Sequence, residues 1–269
     1  MQIKSLEHTS LEEIVQCLNL SFANYFVPMP KGVDVWEKRF RGARVDYSLS
    51  AGMFHEDKLI AFVLHGIDKR ADEGVAFNTG TGVLPDYRNR GIVDKLYAFM
   101  IPQLKEKGIN LCSLEVIQEN ARAIRVYERI GFSIKKSLYS FRGKLAKEIA
   151  KEDVVLIDLG EMIDQIRPQD AFYSWDFCTA ALEKLKAIYQ CYKIIHNNNS
   201  YFIINPENNT LAQYEAPSGK ELELLSAIKA ISPEIRIVNV DSKRTNWLQA
   251  FEQVGLENYI NQYEMEMRI

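Results

Sequence analysis

The sequence predicts a mixed α/β fold built twice in tandem, and three observations carry that expectation. The patterned segments of the first half run strand, helix, several antiparallel strands, then helix–strand–helix–strand, the order of a mixed sheet covered by helices. The chain has 269 residues, 47% of them hydrophobic, which is long for one compact domain and comfortable for two of about 100–150 residues each. Four positions recur at one constant offset: Tyr127, Gly131, Phe132 and Tyr139 reappear as Phe251, Gly255, Leu256 and Tyr263, each 124 residues later (127 to 251, 131 to 255, 132 to 256, 139 to 263).

Residues 2–6 read as a short strand. Thr9 or Ser10 caps a helix with Glu12 and Glu13 in its first turn, and Leu11, Ile14, Val15, Leu18 and Phe22 fall on one face. The stretch 25–30, Tyr-Phe-Val-Pro-Met-Pro, ends it, and residues 36–44 form a second helix, basic on its outside. Residues 50–54 and 59–66 make a hairpin, and 75–84 make a third strand stopped by Pro85. The loop 86–91 leads into a helix whose Val93, Leu96, Tyr97, Met100, Ile101 and Leu104 form an apolar stripe, closed by Gly108, although Pro102 removes one helical hydrogen bond. A strand at 111–117, a helix from Asn120 to about 130 closed by Gly131, and a strand at 132–141 follow.

The charged, irregular stretch after residue 143 reads as a linker, so the expected boundaries are a first domain at 1–143, a linker at 144–165 and a second domain at 166–269. In the second domain, 180–192, 220–231 and 247–253 read as helices, and 193–196, 201–205, 210–215, 235–240 and 259–267 as strands.

Composition excludes several classes. A net charge of −3 supplies no global basic field for nucleic acid. The cysteines at 17, 112, 178 and 191 are isolated, with no ligand spacing for zinc, so no metal is expected. No apolar run approaches the roughly 18 residues of a membrane span, and the first residues show no signal core; a cytoplasmic protein with no membrane partner is the expectation.

Chemistry concentrates between residues 83 and 132. Gly91 opens a helix after a loop carrying Arg88 and Arg90, and the free amides of a helix start bind phosphate. Gly80 and Gly82 lie inside the preceding strand, where glycine signals a bulge or a close ligand approach. About thirty residues later come Asn120, Ala123, Tyr127, Gly131 and Phe132. Together, Arg88-Asn89-Arg90-Gly91-Ile92-Val93 and this second motif resemble the GNAT superfamily of N-acetyltransferases, whose motifs are usually written Gln/Arg-x-x-Gly-x-Gly/Ala and Asn-x-x-Ala-x-x-x-Tyr-x-x-x-Gly-Phe. The resemblance covers residues 2–142 in element order and is specific over 79–132. Val93 departs from it, standing where glycine or alanine is usual, so a β-branched side chain is expected to crowd the phosphate or shift the helix start.

The resemblance implies a mostly antiparallel, twisted central sheet flanked by helices, with acetyl-CoA as cosubstrate. It implies that the backbone around Val83 holds the pantetheine arm like an added strand, that the amides of Arg88, Asn89, Arg90, Gly91, Ile92 and Val93 hold the pyrophosphate, and that Asn120 contacts the cofactor arm. Tyr127 would then sit near the thioester sulfur as proton donor to the leaving thiolate. Phe22, Tyr25 and Phe26 would line the acceptor side. Glu73, Asp72 and Glu115 are candidate bases, and Glu73 in the acidic loop is a candidate contact for a cationic amine. His55 and His65 read as structural.

The expected function is an N-acyltransferase moving acetyl from acetyl-CoA to a primary amine of a small molecule or peptide, by direct attack in a ternary complex, since no Cys/His or Ser/His pair suggests a nucleophile. An acyl-CoA-binding sensor or scaffold without turnover is the alternative. The second copy reads as degenerate, because Phe251 has no hydroxyl and Arg244 replaces the capping asparagine; covering the sheet, shaping the acceptor pocket or serving as a homodimer face remain its readings.

Overall fold

The computed structural model describes residues 1–23, 26–145 and 153–269. They form two compact units, Met1–Lys135 with Glu264–Ile269, and Lys136–Tyr263. The fold is the mixed α/β arrangement that the sequence predicts.

The first unit runs β1 (Gln2–Ser5), α1 (Leu11–Ser21), α2 (Val33–Gly42), β2 (Ala51–His55), β3 (Lys58–Arg70), β4 (Glu73–Val83), α3 (Ile92–Glu106), β5 (Ile109–Ile117) and α4 (Ala121–Ile130). The strands lie in the order β1-β2-β3-β4-β5. The first three pairs are antiparallel, whereas β4 and β5 are parallel, joined by α3. Ser10 caps α1 by accepting from the Glu13 amide at 3.2 Å. Glu56 and Asp57 join β2 to β3 with φ of 51° and 61°, and two left-handed residues match the twist of a hairpin. Leu96, Tyr97, Met100 and Leu104 of α3 are buried, and the Tyr97 ring packs edge-on to His65 of β3 at 5.8 Å, so the predicted stripe is the core face. Pro102 is accommodated, and α3 continues to Glu106.

The second unit holds most of β6 (Ser133–Lys144), then β7 (Val154–Ile157), α5 (Leu159–Ile166), α6 (Thr179–Lys184), β8 (Gln190–Ile194), β9 (Asn197–Asn205), β10 (Thr210–Glu215), α7 (Glu221–Ile231), β11 (Glu234–Asp241), α8 (Thr245–Gln253) and the start of β12 (Glu257–Arg268). Here β10 and β11 are parallel, joined by α7, and the pairs β7–β8, β8–β9, β9–β10 and β6–β11 are antiparallel.

The repeat is visible in the backbone. α4 and α8 start 124 residues apart (121 to 245), as β6 and β12 do (133 to 257). Their capping residues share a conformation, Asn120 at φ −84°, ψ 59° and Arg244 at φ −81°, ψ 54°. The Phe132 amide donates to the Tyr127 carbonyl at 3.0 Å, and the Leu256 amide donates to that of Phe251 at 3.0 Å.

Three expectations differ from what is observed. The compact units divide within β6 rather than at residue 143, because Leu138–Lys144 pair with β11 while the chain's last residue donates to the Asn110 carbonyl of β5. The stretch expected as a linker carries β7 and nearly all of α5, except for residues 146–152, which lie outside the described residues. The helix expected over 180–192 ends at Lys184, and β8 begins at Gln190, since Cys191 and Ile194 are buried in strand pairing with β9.

His65 is fully buried in β3. Its Nδ1 donates to the Leu49 carbonyl at 2.8 Å, since a carbonyl only accepts, and this leaves Nε2 unprotonated and without a partner among the described residues. Burial lowers its pKa to about 4. The unfolded imidazole titrates near 6.5, so its contribution is fully present above that pH and is lost as pH falls from 6.5 towards 4, at about 1.4 kcal/mol per unit. His65→Asn is expected to flatten the loss of stability between pH 6.5 and 4 in urea unfolding; an unchanged slope would refute this account.

Candidate active site

The site begins where β4 leaves β5. The parallel ladder runs from Gly74 opposite Ile109 to Asn78 opposite Leu114, while β4 keeps its β3 partner as far as Val83. The register against β3 shifts between Leu64 and His65, so Thr79 is an extra residue on β4. Asn78 clamps this bulge: its Oδ1 accepts from the Gly80 amide at 3.1 Å, and its Nδ2 donates to Thr81 Oγ1 at 2.7 Å and to the Tyr97 hydroxyl at 2.8 Å. Burial holds the Tyr97 hydroxyl well above the usual tyrosine range, so it stays protonated. Beyond the bulge, Thr81, Gly82 and Val83 face a cavity of about 860 Å³. A side chain at Gly82 is excluded, because its Cβ would stand 2.5 Å from the Phe62 ring.

The next wall is the turn and helix start that the sequence singled out. Asn89 and Gly91 have φ of 64° and 63°, and α3 begins at Ile92 with no side chain capping it. Arg88, Asn89, Arg90, Gly91, Ile92 and Val93 all line the cavity. The uncapped first turn, with its partial positive charge, suits an anion. Val93 does not displace the helix start, which follows Gly91 directly.

The two arginine side chains of the loop are engaged by backbone carbonyls. Arg88 Nε donates to the Val83 carbonyl at 3.1 Å and its Nη2 to the Ser21 carbonyl at 2.8 Å, tying the end of α1 to the end of β4. Arg90 donates to the Asp86 carbonyl at 2.8 Å and lies over the Tyr87 ring, whose hydroxyl bonds His55 Nδ1 at 2.8 Å. Both guanidinium groups are thus committed to the protein's own carbonyls.

α4 forms the opposite wall. Asn120 caps it by accepting from the Ala123 amide at 3.2 Å and lines the cavity. Tyr127 also lines the cavity, half-buried, its ring edge-on to Phe132 at 5.8 Å. Phe22 and Phe26 stand at the α1 side with Leu20 and Ala23, and Phe26 is 54% exposed. Tyr25 lies outside the described residues. Glu73 is elsewhere: it begins β4, ten residues and roughly 33 Å of extended strand from Val83, and is ion-paired with Arg268. Its acidic neighbourhood in sequence is thus no guide to the cavity. Sequence reading missed Asp94, Arg122, Arg125 and Arg129, which also line it. The signal was the spacing of the three arginines along one face of α4, which reads equally as a solvated face.

The corresponding place in the second unit is filled by its own side chains. Arg244 is buried, donates to Glu215 Oε1 at 2.8 Å and to the Tyr214 carbonyl at 3.2 Å, and stacks against the rings of Tyr173, Tyr214 and Trp247. Phe251 is fully buried against Phe141 and Tyr214.

Known proteins bear on this geometry. Residues 14–132 match the family model described as the acetyltransferase (GNAT) family. The bS18-alanine N-acetyltransferase of Escherichia coli K12 is 30% identical over 132 residues, 49% of this chain and 80% of that protein. The enzyme of the same name from Salmonella typhimurium LT2 is 33% identical over 97 residues, 36% of this chain and 63% of that protein. The chain belongs to the GNAT family. Among solved structures, a putative acetyltransferase from Pyrococcus horikoshii aligns over 100% of this chain and 89% of that one, with a TM-score of 0.74 at 13% identity. A tandem GNAT protein from the clavulanic acid biosynthesis pathway aligns over 99% and 98%, with a TM-score of 0.68 at 11% identity. Both likenesses concern the fold, and the second shows that two GNAT units in one chain is a known arrangement.

Arg88 should be a stabilising tie, because hydrogen bonds from a charged group contribute about 1.5–3 kcal/mol. Arg88→Ala is expected to lower unfolding free energy by about 1–3 kcal/mol in urea titration, while Arg125→Ala, at an exposed position, changes it by less than about 0.5 kcal/mol. Equal effects would contradict the assignment.

Proposed function

We propose that the first unit transfers an acetyl group from acetyl-CoA to a primary amine, by direct attack within a ternary complex. One observation carries the reading: a single cavity joins an uncapped helix start, the released edge of β4, and Tyr127. The residues fit the cosubstrate, since the left-handed backbone at Asn89 and Gly91 suits loop amides that turn towards an anion, and no side chain among the described residues caps the helix start. Bound acetyl-CoA supplies an activated thioester.

The amides from Arg88 to Val93 hold the diphosphate. The β4 edge near Val83 pairs with the pantetheine arm, and a backbone N–H there receives the charge that develops on the carbonyl oxygen. Asn120 has its side-chain amide nitrogen left to donate to the arm. As the new N–C bond forms and the C–S bond breaks, the Tyr127 hydroxyl gives its proton to the departing sulfur, and the proton lost by the attacking nitrogen passes through solvent to restore the hydroxyl. No thiol of the first unit competes as nucleophile: burial pushes Cys17 and Cys112 up to about 12. Phe22 and Phe26 form an apolar wall for the acceptor, which suits an amine carried on an apolar body. The second unit carries no transfer, as Phe251 has no proton to give and Arg244 occupies the matching space.

The test is calorimetric titration with acetyl-CoA followed by a thiol-release assay over a panel of primary amines. Tyr127→Phe is expected to lower kcat by about 10²-fold or more while acetyl-CoA affinity hardly changes. Tight binding with no turnover of any amine would favour the sensor or scaffold reading instead.

A further inference from the structure

Five arginines line the cavity, at 88, 90, 122, 125 and 129, against one carboxylate, Asp94. Their engagements differ. Arg88 and Arg90 are held by backbone carbonyls. Arg129 grips both oxygens of Asp94, at 2.7 and 2.6 Å, which removes the one negative charge from the cradle's edge. Arg122 donates once, from Nη2 to Asn89 Oδ1 at 3.0 Å, and Arg125 has no hydrogen bond or ion pair among the described residues. A guanidinium has five donors, so these two retain most of theirs.

Their placement is specific. Positions i and i+3 of a helix share a face, and on α4 that face lines the cavity. The bond to Asn89 sets Arg122 beside the cradle loop, so a second anion position lies next to the diphosphate position, on α4 rather than on α3. Coenzyme A has such a second anion: its 3′-phosphate stands one ribose away from the diphosphate. We propose that Arg122 and Arg125 form a subsite for the 3′-phosphate monoester of coenzyme A and make the protein discriminate it from 3′-dephospho-CoA. This inference rests on the acetyl-CoA reading above. Arg125 supplies a fork for two phosphate oxygens, and Arg122, braced by Asn89, supplies a third donor.

The experiment is calorimetric titration of the full chain with coenzyme A and with 3′-dephospho-CoA at one ionic strength, for the wild type and for Arg122→Ala/Arg125→Ala. Both positions are exposed, and ligand-free melting checks that the variant folds. The wild type is expected to bind coenzyme A about 10- to 100-fold more tightly than 3′-dephospho-CoA, the factor that charge-assisted hydrogen bonds to one phosphate supply. The variant should lose that preference and bind 3′-dephospho-CoA as the wild type does. Equal affinity of the wild type for both ligands would overturn the subsite. So would a variant that weakens both ligands alike, since that is the signature of a general basic face. Failure of the wild type to bind either ligand would instead refute the acetyl-CoA reading, and the subsite with it.

Discussion

The clamp that Asn78 places on the β4 bulge is the constraint on which the site depends. Parallel strands normally satisfy each other's backbone groups along their shared length. Here the ladder between β4 and β5 ends at Asn78, and the side chain of that residue bonds the backbone and hydroxyl of the next residues, together with Tyr97 on α3. The backbone edge released beyond the bulge belongs to Thr81, Gly82 and Val83, the residues that face the cavity. An asparagine suits this position because its amide both accepts and donates, so one buried side chain can hold the bulge and anchor the helix behind it.

Electrostatics then divides the cavity. Most of its arginines serve the protein itself: Arg88 ties α1 to β4, Arg90 steadies the turn, and Arg129 neutralises Asp94. The start of α3 is left without a side-chain cap, and the unengaged cationic donors sit on α4. The apolar side chains of α1 face the remaining space. A ligand charged at one end and neutral at the other is what such a partition accommodates.

The second unit shows how the same backbone loses that capacity. Its helix α8 begins with the cap conformation of α4 and repeats the same hydrogen bond at its end. Yet Arg244, where Asn120 stands in the first unit, turns into a cage of aromatic rings and Glu215. Phe251, where Tyr127 stands, completes a core. A few side chains therefore convert a groove into a packed interior while the chain path persists.

Much of this was legible in the sequence because it is local. The apolar stripe of α3, the loop ending in Gly91, the capping Asn120 and the offset of 124 are patterns within short windows, and each appears in the structure where the pattern places it, whereas the helical spacing over 180–192 runs on into a strand. Residues 88–93 and Tyr127 line one cavity, the juxtaposition that two local motifs, read together, implied. Partnerships were not legible. Nothing in the sequence says that the Arg88 guanidinium meets the Ser21 carbonyl 67 positions away, that Glu73 pairs with Arg268, or that β6 turns to β11 while the last residues return to β5. Amphipathic spacing specifies which face of an element is apolar, but an exposed arginine satisfies it whether it meets solvent, a carboxylate or a ligand. Which of these it meets is decided only when distant segments are brought together, because hydrogen bonds and ion pairs act over a few ångströms in space and carry no signature in sequence separation.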